Sequence, residues 1–447
     1  WPLAWLAACA GALAAAVLLL VALLPQRRAG SRGRLRVAFV HPDLGIGGAE
    51  RLVVDAAVSL QQCGHEVCIF TARHEPSHCF QETRDGTLRV VVFGDFLPKR
   101  VLGRFYAACA YLRMCWASLR IAALAWQGAQ SFDVIFVDQV SICLPILRLA
   151  RASGIVFYCH YPDYLLQTGR SSLLKRVYRA PLDFLEEVTT GLADVVFVNS
   201  RFTAGVFREA FPLLAALRVE PSVLYPALNL ADQDRMAEAA EGGGEPLALA
   251  PGETLLLSIN RFERKKNIGL AIRALAALDE GVRATTRLVL AGGYDEKLPE
   301  NVEHARELAA LAEQLGVGGR VVQMRSISAT AKAWLLSRAA CLLYTPDREH
   351  FGIVPVEAMY ARVPVLAVSS GGPLESIADG ETGFLRPPEP GGWAEALSQL
   401  LADPGRRKSM GQAGRRRAEE LFSLAAFGQA LDAAVRGLAA GPAGKDD

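Results

Sequence analysis

The sequence predicts an α/β protein made of two doubly wound, Rossmann-like domains facing a cleft, behind an N-terminal membrane helix. Three observations predict it. Short, continuously apolar runs alternate with helix-length stretches, as in parallel sheets covered on both faces. The alternation stops in a Gly, Pro, Ala and Glu-rich stretch and then restarts. A chain of 447 residues suits two or three domains of ordinary size, and 21% charged against 51% hydrophobic residues exclude a mainly disordered chain.

The elements follow in order. Trp1 to Leu24 contain only Pro2 and Gly11 outside the apolar set. As a helix they would rise about 36 Å, enough to cross a hydrocarbon core of about 30 Å. Arg27, Arg28, Arg32, Arg34 and Arg36 follow, with no acid before Asp43. By the positive-inside rule this flank and the body behind it face the cytosol. A cleaved signal peptide is the competing reading, disfavoured by the missing basic n-region and the long apolar run. From Asp43 onward 43 basic residues face 46 acidic ones, so no nucleic-acid-binding excess exists.

The body opens with a strand over 35–40, a glycine-rich turn and a helix from Ala49 to about Gln62. HEVCIFTA, FDVIFVD, IVFYCH and DVVFVNS are the next strands. The stretch 229–253 reads as the interdomain linker. TLLLSIN, RLVLAGG, RVVQM, CLLYTP and VPVLAVS supply the second sheet, and a helical stretch from about Trp393 to Leu438 ends the chain. The expected division is therefore 1–24 anchor, 25–34 basic flank, 35–228 N-terminal domain, 229–253 linker, 254–420 C-terminal domain and 421–447 terminal helix and tail. Ala107 to Ala125 is a second apolar stretch, interrupted by Arg113 and Arg120. It reads as a packed helix or as one lying in a membrane interface. Nine cysteines are scattered singly, without paired spacing, so neither a disulfide framework nor a zinc site is expected.

In open α/β sheets ligands bind beyond the carboxyl ends of the strands. The informative motifs lie there. HPDLGIGGAER follows the first strand, with Gly45, Gly47 and Gly48 allowing close backbone approach; a plain structural turn reads equally well, and the dinucleotide pattern GxGxxG is not cleanly matched. SINRFERKKN follows the first strand of the second domain. Arg261 and Lys266 there could hold a diphosphate and stabilise it as it leaves, or belong to a solvated basic loop with Arg264 and Lys265.

EHFGIVPVEAM is the most informative segment. Seven residues separate Glu349 from Glu357. Pro355 fits a first helical turn, which puts Glu357 about three residues into a helix and Glu349 in the preceding loop. Amides of His350, Phe351, Gly352 and Ile353 could face a ligand, and the carboxylates suit sugar or ribose hydroxyls. Dipole compensation for Glu357 and a solvated loop charge for Glu349 are the bland alternatives. VSSGGPLESI gives another tight turn, at Gly371 and Gly372, with free amides ahead of a helix. His160, beyond a first-domain strand, reads as a site residue or as a satisfied structural histidine. Gly292 ends the strand RLVLAGG. The acidic pair Asp232 and Asp234 lacks a strand context, and no metal is expected.

Together these residues resemble retaining glycosyltransferases of the GT-B fold, in the family with the Glu-(seven residues)-Glu motif. HPDLGIGGAERLV, FYCHYPD, VYRAP, SINRFERKKN, AGGYDE and EHFGIVPVEAMY look more closely like the alpha-1,3/alpha-1,6-mannosyltransferases of dolichol-linked oligosaccharide assembly. The resemblance covers about residues 35–435. It implies GDP-mannose as donor and a dolichyl-diphosphate-linked oligosaccharide, with one mannose on two GlcNAc units, as acceptor. It also implies location at the endoplasmic reticulum membrane with the body on the cytosolic face, other mannosyltransferases of the pathway as company, and no cofactor. Carried over by residue, Arg261 and Lys266 bind the donor diphosphate, Glu349 and nearby amides hold the mannose, and Glu357 holds the ribose. Gly47 and Gly48 line the cleft opposite, and His160 approaches the sugar. A non-catalytic subunit on the same fold, another retaining glycosyltransferase, a nucleotide-sugar epimerase and an NAD dehydrogenase are the alternatives. The retained charged residues oppose the first, the lipid acceptor the third, and the glycine pattern the last.

Overall fold

The computed structural model describes residues 33–98, 100, 106–166 and 173–441. The expected anchor 1–24 and nearly all of the basic flank lie outside them. The chain divides into two compact units, one running to Tyr225 and resuming at Ala425, the other spanning Pro226–Leu424.

The first unit is built on a seven-stranded sheet, all of its pairings parallel, in the order β3-β2-β1-β4-β5-β6-β7. Its strands are β1 Arg36–His41, β2 Glu66–Thr71, β3 Arg89–Val92, β4 Val134–Asp138, β5 Gly154–Cys159, β6 Val195–Val198 and β7 Ser222–Val223. Along β1, β4 and β5 nearly every residue is buried, because helices cover both faces. Phe39 and Phe136 meet across β1 and β4 with ring centroids 4.8 Å apart. The sequence reading lacks β3 and β7. Both lie at sheet edges; β7 is only two residues long, and β3 is a four-residue strand at most half-buried, so neither stands out as a buried central strand.

The second unit has a six-stranded parallel sheet in the order β10-β9-β8-β11-β12-β13. The strands are β8 Thr254–Ile259, β9 Thr286–Gly292, β10 Val321–Arg325, β11 Ala339–Tyr344, β12 Val365–Val368 and β13 Gly383–Arg386. The sequence reading lacks only the edge strand β13. In both sheets the order reverses beside the first strand, between β1 and β4 and between β8 and β11, as in doubly wound folds.

Two boundaries differ from expectation. The stretch read as a linker contains a helix, Leu230–Glu241, whose N-cap Asn229 side chain accepts from the Asp232 amide at 3.2 Å. It packs on the helix Ala329–Arg338, and Asp234 accepts from the Tyr360 hydroxyl at 2.8 Å. The run AEAAE forms helix readily, and breaker residues begin only at Gly242. The acidic pair there is thus structural. The terminal helical stretch is three helices, Pro390–Ala402, Pro404–Phe422 and Leu424–Ala440. The last belongs to the first unit, where Asp432 lies 2.5 Å from His65 Nε2 and Gly428 packs against Ser59.

The apolar stretch Ala107 to Ala125 lies within the helix Tyr106–Trp126. Met114, Ala117 and Ile121 are buried, and so is Arg113, while Leu112, Trp116, Leu119 and Trp126 are exposed. Phe96 sets its ring edge-on to Trp116 at 5.5 Å. The segment Ala108–Trp126 is long and apolar enough to cross a membrane, yet 39% of its most apolar window is buried in protein.

The helix Ile353–Tyr360 is held from behind by Pro404–Phe422. Close approach depends on Gly411, where a Cβ would stand 2.1 Å from the Arg362 carbonyl oxygen. Gly411→Ala should therefore destabilise the second unit by about 1–3 kcal/mol, read as a lowered denaturation midpoint at unchanged m-value.

Candidate functional site

In the second unit the strand order reverses between β8 and β11, the place where open α/β sheets commonly bind ligands. The loop after β8 carries Arg261 and Lys266; the loop after β11 carries Glu349. The structure brings two of these three together. Lys266 Nζ lies 2.5 Å from Glu349 Oε2, both side chains largely buried. Thr345 donates its hydroxyl hydrogen to the Lys266 carbonyl at 2.7 Å and so ties the two loops. Arg261 is apart from this pair: its guanidinium is 62% exposed and sits 2.9 Å from Glu263. Arg264 turns away altogether, to Glu303 at 2.9 Å and Glu307 at 2.6 Å. Of the four basic residues in SINRFERKKN, Lys266 is the one that meets Glu349.

Glu357 is the fifth residue of the helix Ile353–Tyr360, two positions deeper than expected, because the helix begins before Pro355. The proline still falls in the first turn, where its missing N–H breaks no intrahelical bond. Glu357 is 8% exposed; Oε1 accepts from Lys332 at 2.7 Å, and Oε2 is buried without a hydrogen-bond partner. An ionised carboxylate oxygen left this way is a ready acceptor for a ligand hydroxyl. Lys332 escaped the sequence reading, since it stands in a helix that carries no motif.

The segment between the two glutamates divides its work. Phe351 is buried against Phe422, with ring centroids 5.6 Å apart, so its side chain belongs to the core. Partial burial pushes the His350 imidazole below its ordinary value and so favours the neutral ring, against the pull of Glu349 toward the charged form. Gly352 caps the helix, and Ile353 begins it. Gly371 and Gly372 are not the free-amide turn expected. The Gly372 amide donates to the Glu349 carbonyl at 2.8 Å, and a Cβ on either glycine would lie 2.3 Å from Glu349 or Phe351 backbone. These glycines press the Glu349 loop into place. Gly292 is also a packing position: at φ 139° its Cβ would meet the Asn260 carbonyl oxygen at 2.2 Å.

In the first unit the corresponding reversal lies between β1 and β4. His41 ends β1, Asp138 ends β4, and His160 follows β5 directly. Asp138, fully buried, has Oδ1 2.7 Å from His41 Nδ1 and Oδ2 3.1 Å from His160 Nε2. Glu50, in the first turn of the helix Gly48–Gln62, lies 3.8 Å from His41 Nε2. Burial alone would lower the His41 pKa, but Asp138 and Glu50 outweigh it and push it up to about 10. Burial would likewise raise Asp138, yet the two histidines hold it below the ordinary carboxylate range. Gly47 stands against the Glu50 carboxylate, whereas a Cβ on Gly48 would meet nothing within 4 Å. His41, Asp138 and Glu50 were not singled out from the sequence. The rule that selected His160, a polar residue at a strand's carboxyl end, applies equally to His41 and Asp138.

The geometry matches known proteins in its parts and as a whole. Residues 46–226 match Glycosyltransferase Family 4, and residues 245–417 match Glycosyl transferases group 1. Among solved structures, a sucrose-phosphate synthase from Thermosynechococcus elongatus superposes with a TM-score of 0.67 at 21% identity, over 90% of this chain and 98% of that one. WaaG, a glycosyltransferase involved in lipopolysaccharide biosynthesis, gives 0.59 at 22% identity, over 89% and 99%. Two doubly wound units with these matches define a GT-B glycosyltransferase.

The relatives narrow the class. The human alpha-1,3/1,6-mannosyltransferase ALG2 is 48% identical over 402 residues, 88% of this chain and 94% of that protein. The Rhizomucor pusillus protein of the same name is 47% identical over 424 residues, covering 89% and 91%. The chain belongs to the alpha-1,3/1,6-mannosyltransferase ALG2 family.

A pH dependence of stability follows from the buried ion pair. His41 is raised from 6.5 to about 10, so its contribution is complete below 6.5 and is lost as pH climbs through about 10. Asp138 is lowered from 3.8, so its contribution is present above that value and is lost as pH falls through the depressed one. Melting temperatures should therefore fall at both ends of the pH range, and His41→Gln should remove most of the alkaline limb.

Proposed function

We propose that the chain transfers mannose from GDP-mannose to a dolichyl-diphosphate-linked oligosaccharide carrying one mannose on two GlcNAc units. It adds alpha-1,3 and alpha-1,6 mannoses with retention, early in assembly of the N-glycan precursor. The observation that carries the reading is the Lys266–Glu349 pair at the β8/β11 reversal, within a Glu-(seven residues)-Glu segment whose second carboxylate keeps one unpartnered oxygen.

In this reading Lys266 and Arg261 take the donor diphosphate; Arg261 is exposed and turns from Glu263 to the ligand. Glu349 and the backbone from His350 to Ile353 hold the mannose, and Glu357 Oε2 accepts a ribose hydroxyl hydrogen. Gly47 and Gly48 allow backbone to approach the substrates. His160 serves as a hydrogen-bond partner for a sugar hydroxyl. The bond from the anomeric carbon to the diphosphate oxygen breaks as the acceptor hydroxyl oxygen bonds to that carbon from the same face. The hydroxyl proton passes to the departing diphosphate. Negative charge grows on the diphosphate, so a cation fixed beside it lowers the barrier. The relatives' names support the linkages: the human and Rhizomucor proteins are called alpha-1,3/1,6-mannosyltransferases.

A lipid-linked acceptor requires work at a membrane surface, and the endoplasmic reticulum is the assigned location, with the body on the cytosolic side. The exposed face of Leu112, Trp116 and Leu119, with Phe96 beside it, supports contact of the first unit with the lipid interface. Other mannosyltransferases of the same assembly line are expected neighbours.

The test is mannose transfer by purified protein from GDP-mannose to the lipid-linked acceptor, with linkage analysis of the product. Lys266→Ala should lower kcat by about 100-fold or more while the melting transition stays cooperative. A near-normal rate would remove Lys266 from the mechanism. Glu349→Gln should cut transfer by at least about 10-fold, since it weakens both the sugar contact and the hold on Lys266; a wild-type rate would reject its assignment.

A further inference from the structure

We propose that Asp138 is a positioning residue: through its carboxylate it fixes the ring orientation and tautomer of His160, leaving Nδ1 as a hydrogen-bond acceptor for a substrate hydroxyl. The inference rests on the sugar-facing role given to His160 above, and deepens it.

The argument begins with the cost of the arrangement. A carboxylate with no exposed surface, at a strand end, gives up most of its favourable hydration. An apolar set of residues would fill the position without that penalty, so stability alone does not call for charges here, although breaking the pair once it is built is costly. What it adds is direction. An ionised carboxylate can only accept hydrogen bonds, so both nitrogens facing Asp138 must carry protons. At 2.7 Å that proton is on His41 Nδ1, and at 3.1 Å it is on His160 Nε2. In a neutral His160 ring the lone pair is then left on Nδ1.

His41 explains why Asp138 can remain ionised. Its ring is wholly buried, and its far nitrogen, Nε2, has no hydrogen-bond partner but faces Glu50 at 3.8 Å. A charged His41 between two carboxylates serves as the buried counter-ion that keeps a proton off Asp138. A protonated Asp138 could donate to His160 and select the opposite tautomer. The titratable groups around this centre are thus Glu50 from the helix Gly48–Gln62, His41 from β1, Asp138 from β4 and His160 after β5, with the Tyr158 hydroxyl of β5 and the Cys143 thiol, both held neutral by burial.

His160 is held on its other sides as well. Asn199 Nδ2 donates to the His160 carbonyl oxygen at 3.1 Å, and the Tyr158 ring lies 4.8 Å from the imidazole. The backbone is thus fixed independently of the ring. Among the described residues only Asp138 meets a ring nitrogen of His160, and the His160 side chain keeps 23% of its surface exposed, enough to meet a ligand. Partners that orient a functional histidine in this way commonly change activity by about 10- to 100-fold when removed.

The experiment compares Asp138→Asn, His160→Gln and the double variant for mannose transfer and melting, with Lys266→Ala as the independent probe of the reaction. Asp138→Asn should lower kcat by about 10- to 100-fold with a smaller change in KM. In the His160→Gln background the same change should cost less than about 2-fold in kcat, because the residue through which it acts is gone. Proton–nitrogen correlation spectra of histidine-labelled protein should show the His160 ring protonated at Nε2 in the wild type and a mixture of tautomers in Asp138→Asn. Full additivity in the cycle, or an unchanged His160 tautomer in a folded Asp138→Asn protein, would overturn the inference. Should Asp138→Asn not fold, Glu50→Gln is the second variant: it weakens the His41 charge from the edge of the site and should shift the acid limb of kcat upward, and an unmoved limb would count against the proposal. If wild-type protein transfers no mannose, the functional reading fails; the tautomer measurement still decides the role of Asp138.

Discussion

The constraint on which the rest depends is the reversal of strand order in each parallel sheet. Right-handed crossovers send the chain first to one side of the opening strand and then to the other. The loops leaving β1 and β4, and those leaving β8 and β11, must therefore diverge onto opposite faces, and a crevice opens between them. Every polar group given a role here stands at or near such a point. Lys266 and Glu349 meet across one crevice although 83 residues part them in sequence; His41 and Asp138 meet across the other at a separation of 97.

Both crevices hold charge in pairs, because single charges there would be too costly. Lys266 with Glu349, Lys332 with Glu357 and His41 with Asp138 each place a cation against a carboxylate in surroundings with little water. The pairs differ in what they leave over. Glu357 retains a buried oxygen without a partner, and Lys266 keeps part of its side chain exposed beside Glu349. His41 and Asp138 are closed upon each other, which suits a part that holds another residue steady. The helix carrying Glu357 is in turn braced by the close packing at Gly411, so the position of one carboxylate depends on a glycine 54 residues further along the chain.

Much of this was legible in order along the chain. Central strands are buried on both faces and so write unbroken apolar runs, whereas the edge strands β3, β7 and β13 are short and leave weaker traces. The helix Leu230–Glu241 was hidden by the glycines that follow it. The motif glutamates and Lys266 were readable because they fall just beyond strong strands. Phe351 and Gly292 carried the same signal, yet pack into the protein; position after a strand marks the neighbourhood of a site but not the direction of a side chain.

By itself the sequence determined the alternation of strands and helices, the two Rossmann-like units and the family, and it marked the short segments in which a site was expected. Periodicity and local motifs suffice for these, since each is set within a few turns of chain. Tertiary structure alone decided which charges are partners: that Lys266 rather than Arg261 meets Glu349, that Lys332 takes half of Glu357, and that Asp138 stands between two histidines. These are contacts between the ends of strands distant in sequence, made adjacent by sheet order and held by desolvation, and no local pattern encodes them.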